Sequence, residues 1–162
     1  LGATNSFPEV FPTRSSPGIS FPAARRFFTA TMSAELLMER ILFVGFAGLI
    51  GTLSRYWLSG WVDAKFGQTF PMGTLVVNLA GCMLAGFLFH MLTEKYLVDP
   101  ITRTSVLIGF LGGFTTFSSY AVQSLTLMRD GELFMATMNV LLSNIGGLIM
   151  AWLGYSLSKA VK

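Results

Sequence analysis

The apolar run from Ile101 to Met128 constrains this chain more than any other feature. As a continuous helix at ~1.5 Å per residue it reaches about 42 Å, more than the ~30 Å hydrocarbon core of a bilayer. Its middle, Gly109 to Tyr120, departs from an ordinary membrane span. Gly112 and Gly113 stand just ahead of Thr115, Thr116, Ser118 and Ser119. Freed backbone groups and hydroxyls cannot face lipid, where no water satisfies them. The run therefore predicts a polar cavity or an ion site at mid-depth of a membrane.

Composition agrees. The chain is 52% hydrophobic and 12% charged, against about 25% charged in a soluble domain. Three further apolar runs cover Ile41–Trp61, Pro71–Leu92 and Leu133–Leu157. The expected fold is an all-α membrane protein with four transmembrane helices. The loops between the runs are short and leave no room for a soluble catalytic domain, so the chain does not read as an enzyme. The net charge of +3 comes from scattered basic residues, with no stripe or motif for nucleic acid. The single cysteine, Cys82, excludes an intrachain disulfide framework and a cysteine-based zinc site.

Residues 1–31 differ in kind. They hold Pro8, Pro12, Pro17 and Pro22, three arginines (Arg14, Arg25, Arg26) and one acid, Glu9. This composition predicts a disordered extension, and residues 32–162 then form the four-span membrane domain. The favoured reading of 1–31 is an upstream extension of the reading frame, with Met32 as the start. The alternative is an organelle transit peptide, which is also Arg- and Ser-rich and acid-poor.

A short amphipathic lead is expected over Ser33–Arg40. The first span carries Gly45, Gly48 and Gly51, and the fourth carries Gly147, Ala151, Gly154 and Ser158. Small residues at such spacings let helix backbones approach where lipid gives no hydrophobic drive. Trp57, Trp61, Phe66, Phe70, Tyr96, Trp152 and Tyr155 read mostly as interface anchors. His90, alone at the end of the second span, reads as an interfacial residue.

Three polar constellations lie within the apolar runs. Thr74 and Asn78, at i and i+4, share a face of the second span. An asparagine there forms an interhelical hydrogen bond or points its amide donors at an anion. In the third span, Phe117 and Tyr120 share a face beside Thr116 and Ser118. Aromatic ring edges are positive, so two rings can solvate an anion; equally, aromatics at this spacing pack cores. Asn139, Ser143 and Asn144 mark the fourth span. Polar groups on three spans favour a common interior pathway.

The charges narrow the function. No Asp or Glu lies within Ile41–Trp61, Pro71–Leu92 or Arg103–Arg129. A proton-coupled exporter needs a buried carboxylate, and a cation pore needs acidic rings or a carbonyl filter. The one charge inside these limits is Arg55, which either snorkels to the interface or lends a positive potential to a vestibule. Both favour anions.

From Glu39 to about Leu157 the chain resembles the CrcB/Fluc family of fluoride channels. The resemblance rests on Gly51-Thr52-Leu53-Ser54-Arg55-Tyr56, on Gly73 to Gly81, on Asn139 to Gly146 and above all on Gly109 to Ser118. It implies a passive fluoride-selective channel in the cell inner (plasma) membrane, relieving fluoride toxicity. It also implies an antiparallel, dual-topology homodimer with two fluoride pathways. On this resemblance Asn78, Phe117, Tyr120, Thr116, Ser118, Ser143 and Arg55 line the pathway. Tyr120 departs from the family's usual Phe. The resemblance further implies a third helix broken near Gly112–Thr115. Carbonyls of Gly112 and Thr115 from two subunits would hold a structural sodium ion at the dimer interface, with the glycines permitting the break. Two other functions stay open on the residues alone, a non-conducting four-helix scaffold or assembly protein and a transporter of a small neutral solute.

Basic residues flanking the spans number five on the side of the termini (Arg40, Lys95, Arg103, Lys159, Lys162) and two on the other (Lys65, Arg129). This is a bias toward cytoplasmic termini. The homodimer is the expected partner arrangement, with pairing to an oppositely oriented homologue as the alternative. An organelle membrane is the alternative location if residues 1–31 are a transit peptide.

Overall fold

Apolar length and turn chemistry set the element order. The computed structural model describes residues 34–67, 69–96 and 98–161, with side chains from residue 37. The extension expected over residues 1–31 lies outside them. Four segments are long and apolar enough to cross a membrane: Leu37–Phe66, Met72–Lys95, Pro100–Arg129 and Leu133–Ala160. We call them the first to fourth spans. Each matches one expected apolar run but is longer at one or both ends. The first helix is continuous over Ala34–Phe66, so the lead expected at Ser33–Arg40 joins the span instead of standing apart.

Local chemistry explains the ends. Gly67 and Gly131 take positive φ (83° and 82°), a conformation that L side chains resist, and the chain reverses at each. Asp63, late in the first span, accepts from the Gly73 amide at 2.8 Å. A carboxylate thus meets the positive end of the second helix. Asp99 caps the third span, accepting from the Ile101 and Thr102 amides at 3.0 Å. Pro100 follows at a position that needs no donor. The Thr102 hydroxyl and then its amide hold the Asp99 carboxyl below its ordinary pKa.

Small residues then decide which helices touch. The second and fourth spans cross closely: a Cβ on Gly86 would overlap the Ala151 carbonyl, and one on Gly154 the Met83 carbonyl. Ser158, at the end of the same stripe, is fully buried. The first span lies against the first half of the third. A Cβ on Gly51 would overlap the Phe110 carbonyl, and one on Gly113 the Gly48 carbonyl. Gly45, expected to share this role, has open space where a Cβ would be. The outer faces carry exposed Phe43, Phe46, Leu148 and Trp152, and Trp57 and Trp61 near one end. That is the surface a bilayer requires.

The third span is broken, though not where the glycines are. Leu111–Phe114 is helical, Thr115 and Thr116 are extended (ψ 159° and 116°), and the helix resumes over Phe117–Arg129. Neither Gly112 nor Gly113 takes a positive φ. Gly113 serves close approach to the first span. The expectation that the two glycines permit the break is therefore corrected: side chains around Thr116 make it. Wider, π-type turns occur at Met91–Lys95, Ser105–Phe110 and Leu142–Gly146. Such turns redirect the residues within them.

Candidate functional site

The site begins with one extended residue. Thr116 directs its amide to Asn78 Oδ1 at 2.8 Å, while Asn78 Nδ2 donates to the Thr116 carbonyl at 2.9 Å. The asparagine side chain thus replaces the helical partners that Thr116 lost. The Thr116 hydroxyl accepts from the Ser119 amide at 3.2 Å and caps the second half-helix. It also lies 3.2 Å from the Ser118 hydroxyl and 3.1 Å from Ser119 Oγ. A break in hydrocarbon needs every freed group satisfied, and these contacts satisfy the groups of Thr116.

The break frees carbonyls in exchange, those of Gly112 and Thr115 among them. In a continuous helix the Gly112 carbonyl would accept from the Thr116 amide, and the Thr115 carbonyl from the Ser119 amide. Those amides are engaged by Asn78 Oδ1 and Thr116 Oγ1. Gly112 is exposed and has open space beside it. Among the described residues no three His, Cys, Asp or Glu side chains gather, so a cation bound here would rest on these main-chain oxygens.

A cavity of about 790 Å³ lies beside the break, and Asn78, Gly112, Thr115, Thr116, Phe117, Tyr120, Ser143 and Asn144 all line it. None of its lining residues is charged. The Phe117 and Tyr120 rings lie 5.3 Å apart, tilted by 57°. Phe117 is 75% exposed on the single chain, and the cavity rim reaches the surface there. Asn144 Nδ2 donates to Tyr120 Oη at 3.1 Å. Ser143 Oγ is buried without a partner.

Arg55 is not in this cavity. It lines a smaller one of about 270 Å³ with Thr52, Ser59, Thr74 and Ser119, and Thr116 lines both. Arg55 and the rings thus line different cavities that have Thr116 in common. Ser118 lines neither cavity; its hydroxyl meets Thr116. Asn139, 2% exposed, donates to Ser124 Oγ at 2.9 Å and is a packing contact. His90 is not solitary. It stands 3.8 Å from Glu94 Oε2 and edge-on to the Tyr155 ring at 5.3 Å.

Asn144, Gly86 and Tyr155 line the cavity without being among the expected pathway residues, although Asn144 belongs to the polar constellation of the fourth span. Asn144 follows Ser143 directly, and a regular helix would turn it off the shared face. The π-type turns at Leu142–Gly146 bring both to the cavity. Gly86 and Tyr155 line the cavity through tertiary contact, which no local pattern signals.

The profile of the family described as CrcB-like protein, Camphor Resistance (CrcB), matches residues 42–155. The chain belongs to the CrcB family. A relative from Geotalea uraniireducens (strain Rf4), named fluoride-specific ion channel FluC, is 44% identical over 124 residues. Those residues are 76% of this chain and all of the relative. A relative of the same name from Geotalea daltonii is 41% identical over 124 residues, again 76% and all. One from Chlorobium phaeobacteroides (strain BS1), also so named, is 44% identical over 119 residues, 74% of this chain and 92% of its own. The matched CrcB region contains both cavities and the whole break.

Proposed function

We propose that this CrcB-family chain is the subunit of a passive fluoride-selective channel that lets cytoplasmic fluoride leave a microbial cell across its inner membrane. The observation that carries this is the uncharged cavity at the break, where amide, hydroxyl and ring-edge donors converge. Stripping a small anion of water costs tens of kcal/mol by Born estimates unless donors replace the shell. Each hydrogen bond to a charged group returns about 1.5–3 kcal/mol net. Neutral donors replace water without trapping the ion. Asn78 keeps one amide hydrogen beyond its bond to Thr116, and the Ser143 hydroxyl has no other partner. The Phe117 and Tyr120 edges complete the lining, and Arg55 draws anions into the smaller cavity that shares Thr116. A narrow passage excludes larger anions. Fluoride enters acidified cells as HF and dissociates inside, so a passive path down its own gradient is enough. The printed name of the relatives supports the same reading.

A second copy completes the pathway. Phe117, Ser118, Gly112 and Asn144 are exposed on the single chain, and polar backbone and amides do not face lipid. An antiparallel homodimer covers this face and offers two pathways. The freed Gly112 and Thr115 carbonyls suit a hard cation, and from two subunits they would hold one sodium ion. When bound, that ion supplies only structural charge at the interface. Dual topology follows from the family resemblance, against a basic-residue bias toward cytoplasmic termini that is too small to fix one orientation; labelling cysteines placed at positions 65 and 95, in a Cys82→Ala chain, from both sides of the membrane tests it. One-sided labelling, with no activity from the chain alone, would establish pairing with a homologue.

The deciding experiment is ion flux from proteoliposomes holding the purified full chain. Fluoride should leave rapidly, chloride should not, and no pH gradient should be needed. Chloride flux equal to fluoride flux, or a strict need for a proton gradient, would sink the proposal. A scaffold would pass neither ion.

A further inference from the structure

Tyr120 brings a hydroxyl to a place where a bare ring edge would serve, and the structure shows how that hydroxyl is held. Asn144 Nδ2 lies 2.8 Å from the Val140 carbonyl and 3.1 Å from Tyr120 Oη. A main-chain carbonyl only accepts, so the nitrogen of the amide is the atom that faces it. One Asn144 hydrogen goes to Val140 and the other to Tyr120. The phenolic oxygen is therefore an acceptor in this pair, and its own proton remains to be given. Among the described residues no acceptor takes that proton, while Tyr120 lines the cavity with Ser143, whose Oγ is buried and also unpartnered. Two hydroxyls without acceptors border one uncharged cavity.

We infer that the Tyr120 hydroxyl is an anion donor in its own right, and that Asn144 is the positioning residue that holds its oxygen so that the proton points into the cavity. The inference rests on the fluoride pathway proposed above. It gives this chain a contact that a phenylalanine could not make. Hydroxyl donors shorten and strengthen when the acceptor is ionised, and a small, hard anion benefits most. The Asn144–Tyr120 pair thus raises affinity and selectivity for the smallest anion, beyond what the ring edges supply.

The test measures flux from proteoliposomes over a range of fluoride concentrations, for wild type, Tyr120→Phe, Asn144→Leu and the double variant, with Phe117→Ile as reference. Tyr120→Phe keeps the ring and removes the donor. It should raise the half-saturating fluoride concentration about tenfold, about 1.4 kcal/mol. Asn144→Leu should shift it in the same direction by a smaller factor, and the double variant should match Tyr120→Phe. If either single variant fails to fold, the other carries the test. An unshifted half-saturation in every folded variant of the pair, with flux abolished by Phe117→Ile, overturns the inference and leaves the pathway standing. Normal flux in Phe117→Ile and in the pair variants overturns both.

Discussion

Asn78 and Asn139 are both asparagines in the middle of membrane spans, and the fold treats them oppositely. Asn139 is sealed, 2% exposed, and donates to Ser124, which in turn donates to the Tyr120 carbonyl at 2.8 Å. It ties two intact helices together. Asn78 sits at a cavity wall and binds both main-chain groups of a residue that has left its helix. It ties a helix to the place where another helix stops. The lesson is that an intramembrane amide stabilises in proportion to what would otherwise be orphaned. Losing Asn139 removes one side-chain contact. Losing Asn78 strands two backbone groups in a medium without water.

The sharpest way to break that comparison is Asn78→Asp. A carboxylate still accepts from the Thr116 amide but faces the Thr116 carbonyl with like charge, and it puts a negative charge beside the cavity. Fluoride flux should fall about ten- to a hundredfold, given about 1–3 kcal/mol for the one stranded carbonyl. Flux within about twofold of wild type would show that the break does not depend on Asn78. Gly113→Val comes next. Its side chain meets the Gly48 carbonyl and sits near the Thr52 amide, so the first span must move. Overpacking of this kind costs about 1–3 kcal/mol, visible as a lower unfolding temperature in detergent. Unchanged stability would refute the close packing of these spans.

Asn139→Leu should be milder, about 0.6–1.7 kcal/mol, the range for interhelical hydrogen bonds in lipid. The fluoride dependence should stay that of wild type in the folded fraction. A changed dependence would move Asn139 into the pathway and collapse the distinction between the two asparagines. The smallest effect concerns Asp99, outside both regions. Its folded-state pKa is lowered by the Thr102 hydroxyl and amide, so its cap is present above the ordinary carboxylate pKa and is lost as pH falls through the lowered folded value. Hydrogen exchange at Ile101 and Thr102 should show protection fading only in that acid window. Asp99→Asn should remove the pH dependence and leave flux at neutral pH unaltered.

Much of this protein was legible in the residues because lipid imposes simple rules. Apolar length gave four spans within a few residues of Leu37–Phe66, Met72–Lys95, Pro100–Arg129 and Leu133–Ala160. The small stripe Gly147, Ala151, Gly154 and Ser158 identified a packed face, and it meets the second span. Seven of the expected positions, Asn78, Gly112, Thr115, Thr116, Phe117, Tyr120 and Ser143, line one cavity. Helical spacing put Phe117 and Tyr120 on one face, which survives in any helix; Gly112 and Thr115 were expected on the family resemblance and not on spacing. Ser118 shares a hydroxyl contact with Thr116 but lines neither described cavity, since its direction depends on where the second half-helix starts.

The sequence by itself determined the membrane class, the number of spans and the presence of a polar interruption, because hydrocarbon tolerates few alternatives. Only the tertiary structure decided how the interruption is made. Neighbouring glycines suggested local flexibility, yet the helix ends at Thr115–Thr116 because Asn78, 38 residues away, supplies both hydrogen bonds. It also decided that Arg55 lines a different cavity from the rings, and that Asn144 reaches Tyr120 from another span. Those outcomes depend on which helix faces meet, and a hydrogen bond between distant residues leaves no periodic trace along the chain.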